Sequence, residues 1–421
     1  MKIAVIGGGS TYTPELIDGF ARLREELRLT EIALVDPDAT RLDPVAGMAR
    51  RMLARAGHRA RVLATDSVEK GVAGASAVLL QLRVGGQAAR NVDETLPLRC
   101  GCVGQETTGA GGLAKALRTV PVVLDIAARI REQTPDAWII DFTNPVGIVT
   151  RALLREGHRA IGLCNVAIGF QRRFAANLGV DHERVSLGHV GLNHLSWERS
   201  VHLDGVDVLP RLIEEHGAEI AEDVGLPVGL LRRLGAVPSY YLRYFYAHDL
   251  VVQEQRRGPS RAAEVAAMEG ELLRMYADTA LDTKPDLLGQ RGGAFYSESA
   301  VALIASLLGD AGPGAPQVVN LRNDGVLPFL ADDAVIEAPA TVTAAGATAL
   351  PVPAVEPLYA GLIANVSAYE SLALTAALEG GADRVHDALL AHPLVGQEAV
   401  AGELTSLLVE ANRPYLPWTV S

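Results

Sequence analysis

Cysteine is scarce: the 421 residues hold only Cys100, Cys102 and Cys164. A low, odd count speaks against a disulfide scaffold and fits a reducing compartment, so a cytoplasmic location is expected. Aromatic residues are also few, at 5%. Basic charge is in deficit, with 38 Lys+Arg against 50 Asp+Glu and a formal net charge of −12. That balance argues against a nucleic-acid binder, because neutralising phosphates needs a basic surface. A small anionic ligand stays open, since it feels local arginines rather than net charge. Long apolar runs are missing too. The longest, near residues 300–308, is far too short to cross a bilayer. Met1-Lys2 leads straight into a short apolar strand, with no signal-peptide pattern. Apolar residues are what the chain has in quantity: 49% of it is hydrophobic. At roughly 150 residues per domain, that supports two or three domains with a substantial core.

The first half alternates strands and helices. Apolar runs at residues 2–6, 31–35, 61–64, 77–82, 138–142 and 159–163 predict six strands. Helical patterns lie between them: one opening at Pro14 and Glu15, then 41–56, 115–131 and 146–155. Strands separated by helices indicate an α/β fold with a Rossmann-type, doubly wound parallel sheet, placed at residues 1–165. Beyond that the pattern changes. Residues 185–197 read as extended, 262–276 and 297–308 as helices, 317–321 and 334–343 as strands, and 358–377 and 381–391 as helices. This is an α+β second domain, 166–421, with the Pro/Gly-rich run 312–316 as a surface loop.

The first strand ends in Gly7-Gly8-Gly9-Ser10-Thr11. Gly7 and Gly9 match the first two glycines of a dinucleotide fingerprint, which allow a tight turn and a close approach to a pyrophosphate at a helix N-terminus. Tyr12 stands where the third glycine is usual. Asp36 closes the second strand, where a carboxylate binds the ribose hydroxyls and repels a 2′-phosphate, so NAD is favoured over NADP.

Cys164 sits just past the sixth predicted strand, at the sheet edge where ligands bind in such folds. Thirty residues on comes Gly191-Leu192-Asn193-His194. A thiolate and an imidazole could share a divalent ion and leave positions open for substrate oxygens. A structural thiol and a core histidine fit the same spacing. Arg83 and Arg90 follow the fourth strand, and Arg261 lies in Gly258-Pro259-Ser260-Arg261. Each offers bidentate hydrogen bonds to phosphate, or an ordinary ion pair. Residues 240–246 are dense in tyrosine, which suits either aromatic packing or a phenol base beside a cation.

Taken together, these stretches resemble glycoside hydrolase family 4, the NAD- and metal-dependent glycosidases. The resemblance rests on Gly7-Gly8-Gly9-Ser10, Arg83-Val84-Gly85-Gly86, Gly104-Gln105-Glu106-Thr107-Thr108-Gly109, Phe142-Thr143-Asn144-Pro145, Cys164-Asn165-Val166, Gly191-Leu192-Asn193-His194, Tyr241-Leu242-Arg243-Tyr244 and Arg291-Gly292-Gly293-Ala294. It spans nearly the whole chain and implies a second domain like that of the lactate and malate dehydrogenases. Cys164-Asn165-Val166 resembles the 6-phospho-β-glucosidase type, with Ala167 where Pro is usual. The implied reaction takes hydride from C3 of the sugar onto NAD, removes the C2 proton, eliminates the aglycone, adds water and returns the hydride. Such enzymes depart from the usual pair of carboxylates around the bond.

The resemblance also implies roles. Tyr241 is the C2 base, and Cys164 and His194 hold the metal, Mn²⁺ being expected. Asn165 and Asn144 contact the sugar, and Asn144 also meets the cofactor. Ser260, Arg261 and Arg83 hold the 6-phosphate, and Glu106 is a possible sugar contact. Gly7, Gly9, Ser10, Thr11 and Asp36 bind NAD. The expected substrate is a phosphorylated disaccharide or aryl glucoside, with no nucleic acid or membrane partner, and the assembly a homodimer or homotetramer. Other family specificities, a 2-hydroxyacid dehydrogenase and a non-catalytic NAD sensor are the competing readings.

Overall fold

The computed structural model describes residues 1–291, 295–309 and 315–419. The expected loop at 312–316 and the Gly292–Ala294 part of the quoted motif therefore lie wholly or partly outside the described residues. Six strands build the N-terminal half: β1 (Lys2–Ile6), β2 (Glu31–Val35), β3 (Arg61–Thr65), β4 (Ala77–Leu80), β5 (Trp138–Asp141) and β6 (Ala160–Gly162). All their pairings are parallel, in the order β3-β2-β1-β4-β5-β6. In β1, β2 and β4 nearly every residue is buried, as a sheet covered by helices on both faces requires. The strand order reverses between β1 and β4, which opens a crevice at their carboxyl ends.

The second half differs from expectation in two ways. Residues 185–197 are not one extended segment. They form a hairpin of β7 (Val185–Leu192) and β8 (Leu195–Leu203), turning at Asn193-His194. The remaining strands are β9 (Val206–Asp207), β10 (Val237–Pro238), β11 (Gln317–Arg322), β12 (Val335–Thr343) and β13 (Gly346–Ala349). These strands also do not make a separate sheet. β11 pairs antiparallel with β6, and β12 joins β11 to β7, so one mixed sheet runs through both halves. Both joints are narrow, resting on the register pairs Asn320–Gly162 and Glu337–Gly191. The main buried cluster likewise draws on both halves, from Leu79 to Trp197 and Ile336.

Several helices add to those expected, among them Gly86–Arg99, Val166–Leu178, Leu209–Val224 and Glu398–Asn412. The helix Pro357–Glu379 is long and apolar enough to cross a membrane by length and composition. Half of its apolar window is buried, and it packs against Gly109–Gln133 and Ala382–Ala391, as a core helix does.

Candidate active site

The β1 turn enters the crevice because Gly7 takes φ +83 and lies flush against the next strand's end. A Cβ there would meet the Gln81 carbonyl oxygen at 2.7 Å. Past this turn the chain enters the helix Thr13–Arg22. At the end of β2, Asp36 accepts the Gly9 N–H at 3.0 Å on Oδ2 and the Asp38 N–H at 3.0 Å on Oδ1. Burial raises its carboxyl, and the two amides oppose that. Each oxygen keeps a lone pair for a ribose hydroxyl.

A cavity of about 840 Å³ extends from this loop, at the upper end of ligand-site sizes. It is lined by Gly7, Ser10 and Asp36, and also by Arg83, Glu106, Asn144, Asn165, His194 and Tyr241. Nine of the residues singled out in the sequence thus share one wall system. Asn144 Oδ1 is buried without a hydrogen-bond partner among the described residues, which suits an acceptor waiting for a ligand. Asn165 stands at the start of the helix Val166–Leu178. Ala167 lies buried in the first turn of that helix, where backbone N–H groups have no intrahelical acceptor and proline is tolerated.

Cys164 lies behind the wall, 4% exposed. Burial pushes its thiol up to about 12 and the Glu337 charge adds to this, while hydrogen bonds from the Val166 backbone, Asn193 and Tyr296 act the other way. Coordination to a cation would favour the thiolate, its proton leaving to solvent. His194 is pushed down to about 4, chiefly by burial, so its imidazole is neutral and able to ligate. The hairpin turn holds His194 at φ 62, in the left-handed region. Just before it, Gly191 sits at φ +148, where a Cβ would meet the Leu195 carbonyl oxygen at 2.1 Å. Tyr241 stacks on the His194 ring, with centroids 3.6 Å apart and planes 8° off parallel. Burial, then the neighbouring Cys164, raises its phenol well above the ordinary value. Among the described residues no cluster of three or more His, Cys, Asp or Glu forms. A cation on this pair therefore keeps positions for non-protein oxygens.

Glu106 is the hub of a basic cluster. It pairs with Arg83, with Arg90 at 3.1 Å and with Lys115 at 2.7 Å. Burial would raise its carboxyl, but Lys115, Arg83 and Arg90 together hold it well below the usual range. Arg90 is shared with Glu94 at 2.7 Å, so three cations stand against two carboxylates and leave net positive charge beside the cavity.

Five expected site residues do not line the cavity: Cys164, behind the wall; Gly9, whose N–H donates to Asp36; and Thr11, Ser260 and Arg261. Thr11 is fully buried and donates to Glu269, 3.4 Å away, on the packing side of the loop. Ser260 caps the helix Arg261–Ala277 by accepting the Ala263 N–H, and its hydroxyl donates to Asn91. Arg261 points out, 45% exposed, paired with Glu264 at 2.9 Å and donating to the Gln290 carbonyl. Capping and ion pairing, the ordinary work of such residues at a helix start, account for both. The structure adds residues that the motif search passed over. Lys115 and Tyr296 line the cavity, Thr107 lies 2.8 Å from His194 Nδ1, and Glu269 gathers Arg41 and Arg291. Thr107 lay inside the quoted Gly104–Gly109 run and was legible there.

A second buried network backs the hairpin. His189 sits between Glu198 at 2.6 Å and Glu337 at 3.2 Å, and Glu337 also accepts from Asn320 and Asn193. Burial alone would lower His189, but the two carboxylates raise it to about 10.

Comparison with known proteins agrees with this geometry. Residues 2–180 match the model of the family 4 glycosyl hydrolases, and 189–395 match its C-terminal domain. A probable 6-phospho-beta-glucosidase of Bacillus subtilis is 37% identical, covering 99% of this chain and 97% of the relative. The solved 6-phospho-beta glucosidase of Thermotoga maritima, with NAD and glucose-6-phosphate, superposes with a TM-score of 0.92 at 35% identity, covering 99% of each chain. Another structure of that enzyme holds manganese, NAD+ and glucose-6-phosphate. A malate dehydrogenase from Salinibacter ruber shares the fold alone, at TM-score 0.54 and 16% identity over 92% of this chain and 99% of that one. The chain belongs to the family 4 glycosyl hydrolases.

Proposed function

We propose that the protein hydrolyses 6-phospho-β-D-glucosides, in the cytoplasm, using NAD and a divalent cation, with Mn²⁺ favoured. The observation that carries this reading is one cavity shared by the nucleotide loop, His194 with Cys164 behind it, and the cluster around Glu106. Bound there, NAD supplies a reversible hydride acceptor for C3 and the cation a Lewis acid for the sugar oxygens. The chain's own residues do the rest. Residues 1–165 bind the cofactor and 166–421 complete the sugar site. Asp36 takes the ribose hydroxyls, and its charge disfavours a 2′-phosphate. Cys164 and His194 hold the cation. Tyr241, stacked on His194, would take the C2 proton as a phenolate, having first lost its own proton to solvent, which the raised phenol does only once positive charge stands beside it. Arg83, with Arg90 beside it, holds the 6-phosphate, and Asn144 and Asn165 take sugar hydroxyls. Ser260 and Arg261 serve the phosphate only if Arg261 releases Glu264 and the Gln290 carbonyl. Self-association as a homodimer or homotetramer is part of the reading, supported by Leu358, Leu372 and Leu378 exposed along one helix.

The test is aglycone release from nitrophenyl 6-phospho-β-D-glucoside, with NAD⁺, Mn²⁺ and a thiol reductant each omitted in turn. The α-anomer and the unphosphorylated glucoside run alongside, and product made in D₂O is examined for label at C2. Release needing all three additions, preferring the phosphorylated β-anomer and labelling C2 is expected. Release without NAD⁺, or product unlabelled at C2, would sink the reading.

A further inference from the structure

An imidazole has two nitrogens, and only the one carrying the lone pair can face a cation. His194 Nδ1 lies 2.8 Å from Thr107 Oγ1. Thr107 owns a single hydroxyl proton, and its Oγ1 also lies 2.8 Å from Gln105 Oε1. That Gln105 atom is an acceptor, because it also receives the Thr107 backbone N–H. A carbonyl oxygen cannot donate, so the Thr107 proton goes to Gln105. Thr107 Oγ1 then has only lone pairs to offer His194, and Nδ1 must carry the hydrogen. In a neutral ring this leaves the lone pair on Nε2.

We infer that Thr107 is a positioning residue: oriented by Gln105, it holds His194 in the Nδ1–H tautomer and so reserves Nε2 for the divalent cation. The inference rests on the reading of His194 as a metal ligand. Two other constraints already fix the ring, namely its left-handed backbone and its stack on Tyr241. Neither of them selects a tautomer. Only the hydrogen-bond chain Gln105–Thr107–His194 does, and reversing it would put a hydrogen on the nitrogen needed for the metal. Partners of this kind are worth roughly 10–100-fold in metal affinity where they have been removed.

The experiment measures Mn²⁺ affinity of the NAD⁺-loaded full chain, by loss of the free-ion electron paramagnetic resonance signal. Thr107→Val keeps the shape and the backbone N–H but removes the acceptor. It should raise the Mn²⁺ dissociation constant about 10–100-fold, while the NAD⁺ dissociation constant and melting temperature stay near wild type. Thr107→Ser should restore tight binding. Gln105→Leu, with Thr107 intact, frees the hydroxyl proton to turn toward Nδ1 and should also weaken Mn²⁺; it serves if the valine variant does not fold. His194→Ala separates the two readings. If it binds Mn²⁺ like wild type, the ligand assignment fails and takes this inference with it. If it loses Mn²⁺ while folded Thr107→Val or Gln105→Leu keeps wild-type affinity, the ligand assignment stands and the role of Thr107 is overturned.

Discussion

Arg83 faces the cavity with Glu106 as its counter-charge, and Lys115 and Arg90 keep that carboxylate satisfied when Arg83 turns to a ligand. A charged hydrogen bond to phosphate contributes about 1.5–3 kcal/mol. Arg83→Ala should therefore raise KM for 6-phosphoglucoside by about 10–100-fold, with little change for the unphosphorylated sugar. Steady-state kinetics on the two substrates checks this, and equal effects on both would assign Arg83 a merely structural role. At this scale the sequence was informative where function sits in short runs. Asp36, Asn165 and His194 reach one cavity because Asp36 follows β2, Asn165 opens the helix after β6, and His194 forms the β7–β8 turn. Thr11, Ser260 and Arg261 stand off the cavity lining for a shared reason. A residue beside a binding motif can turn to either side of its loop or helix, and only tertiary partners such as Glu269 and Glu264 decide which.

The β7–β8 hairpin is the element that positions His194, and its turn is built around a residue with no glycine's freedom. Holding a non-glycine side chain in the left-handed region costs roughly 1–2 kcal/mol, a cost His194 bears at φ 62. Two variants that both lose the imidazole should then differ in stability. His194→Gly should melt higher than His194→Ala, by an amount equivalent to about 1 kcal/mol, in thermal unfolding without added metal. Equal melting, or the reverse order, would mean that the turn relaxes out of the left-handed region. This hairpin was not legible from sequence because its turn carries Asn193-His194 instead of a glycine pair. The helix Gly86–Arg99 was hidden for another reason: it buries Asp93 and Glu94, paired with Arg118 and Arg90, so its inward face has no apolar period. By contrast β1 and β2 matched expectation to the residue, being apolar runs closed by Gly7 and Asp36.

Across the whole molecule, the expected division near residue 165 coexists with a sheet and a core cluster that cross it. The two halves should melt together. Differential scanning calorimetry should give one cooperative transition, and NAD⁺ at about 100 times its dissociation constant should stabilise the whole of it by about 2.7 kcal/mol. Two resolved transitions, with only one moved by NAD⁺, would show halves that unfold independently. The crossing itself follows from the seam at Asn320–Gly162, and the neighbouring joint Glu337–Gly191 carries the polar groups behind Cys164 and His194. It has a practical side for anyone dissecting the enzyme. A fragment ended at residue 165 would lose β11 and leave the outer edge of β6, Ala160-Ile161-Gly162, as an open apolar template. Such edges recruit other chains, so the isolated nucleotide-binding half should self-associate through β6, and fusion or truncation designs should keep β11 in place.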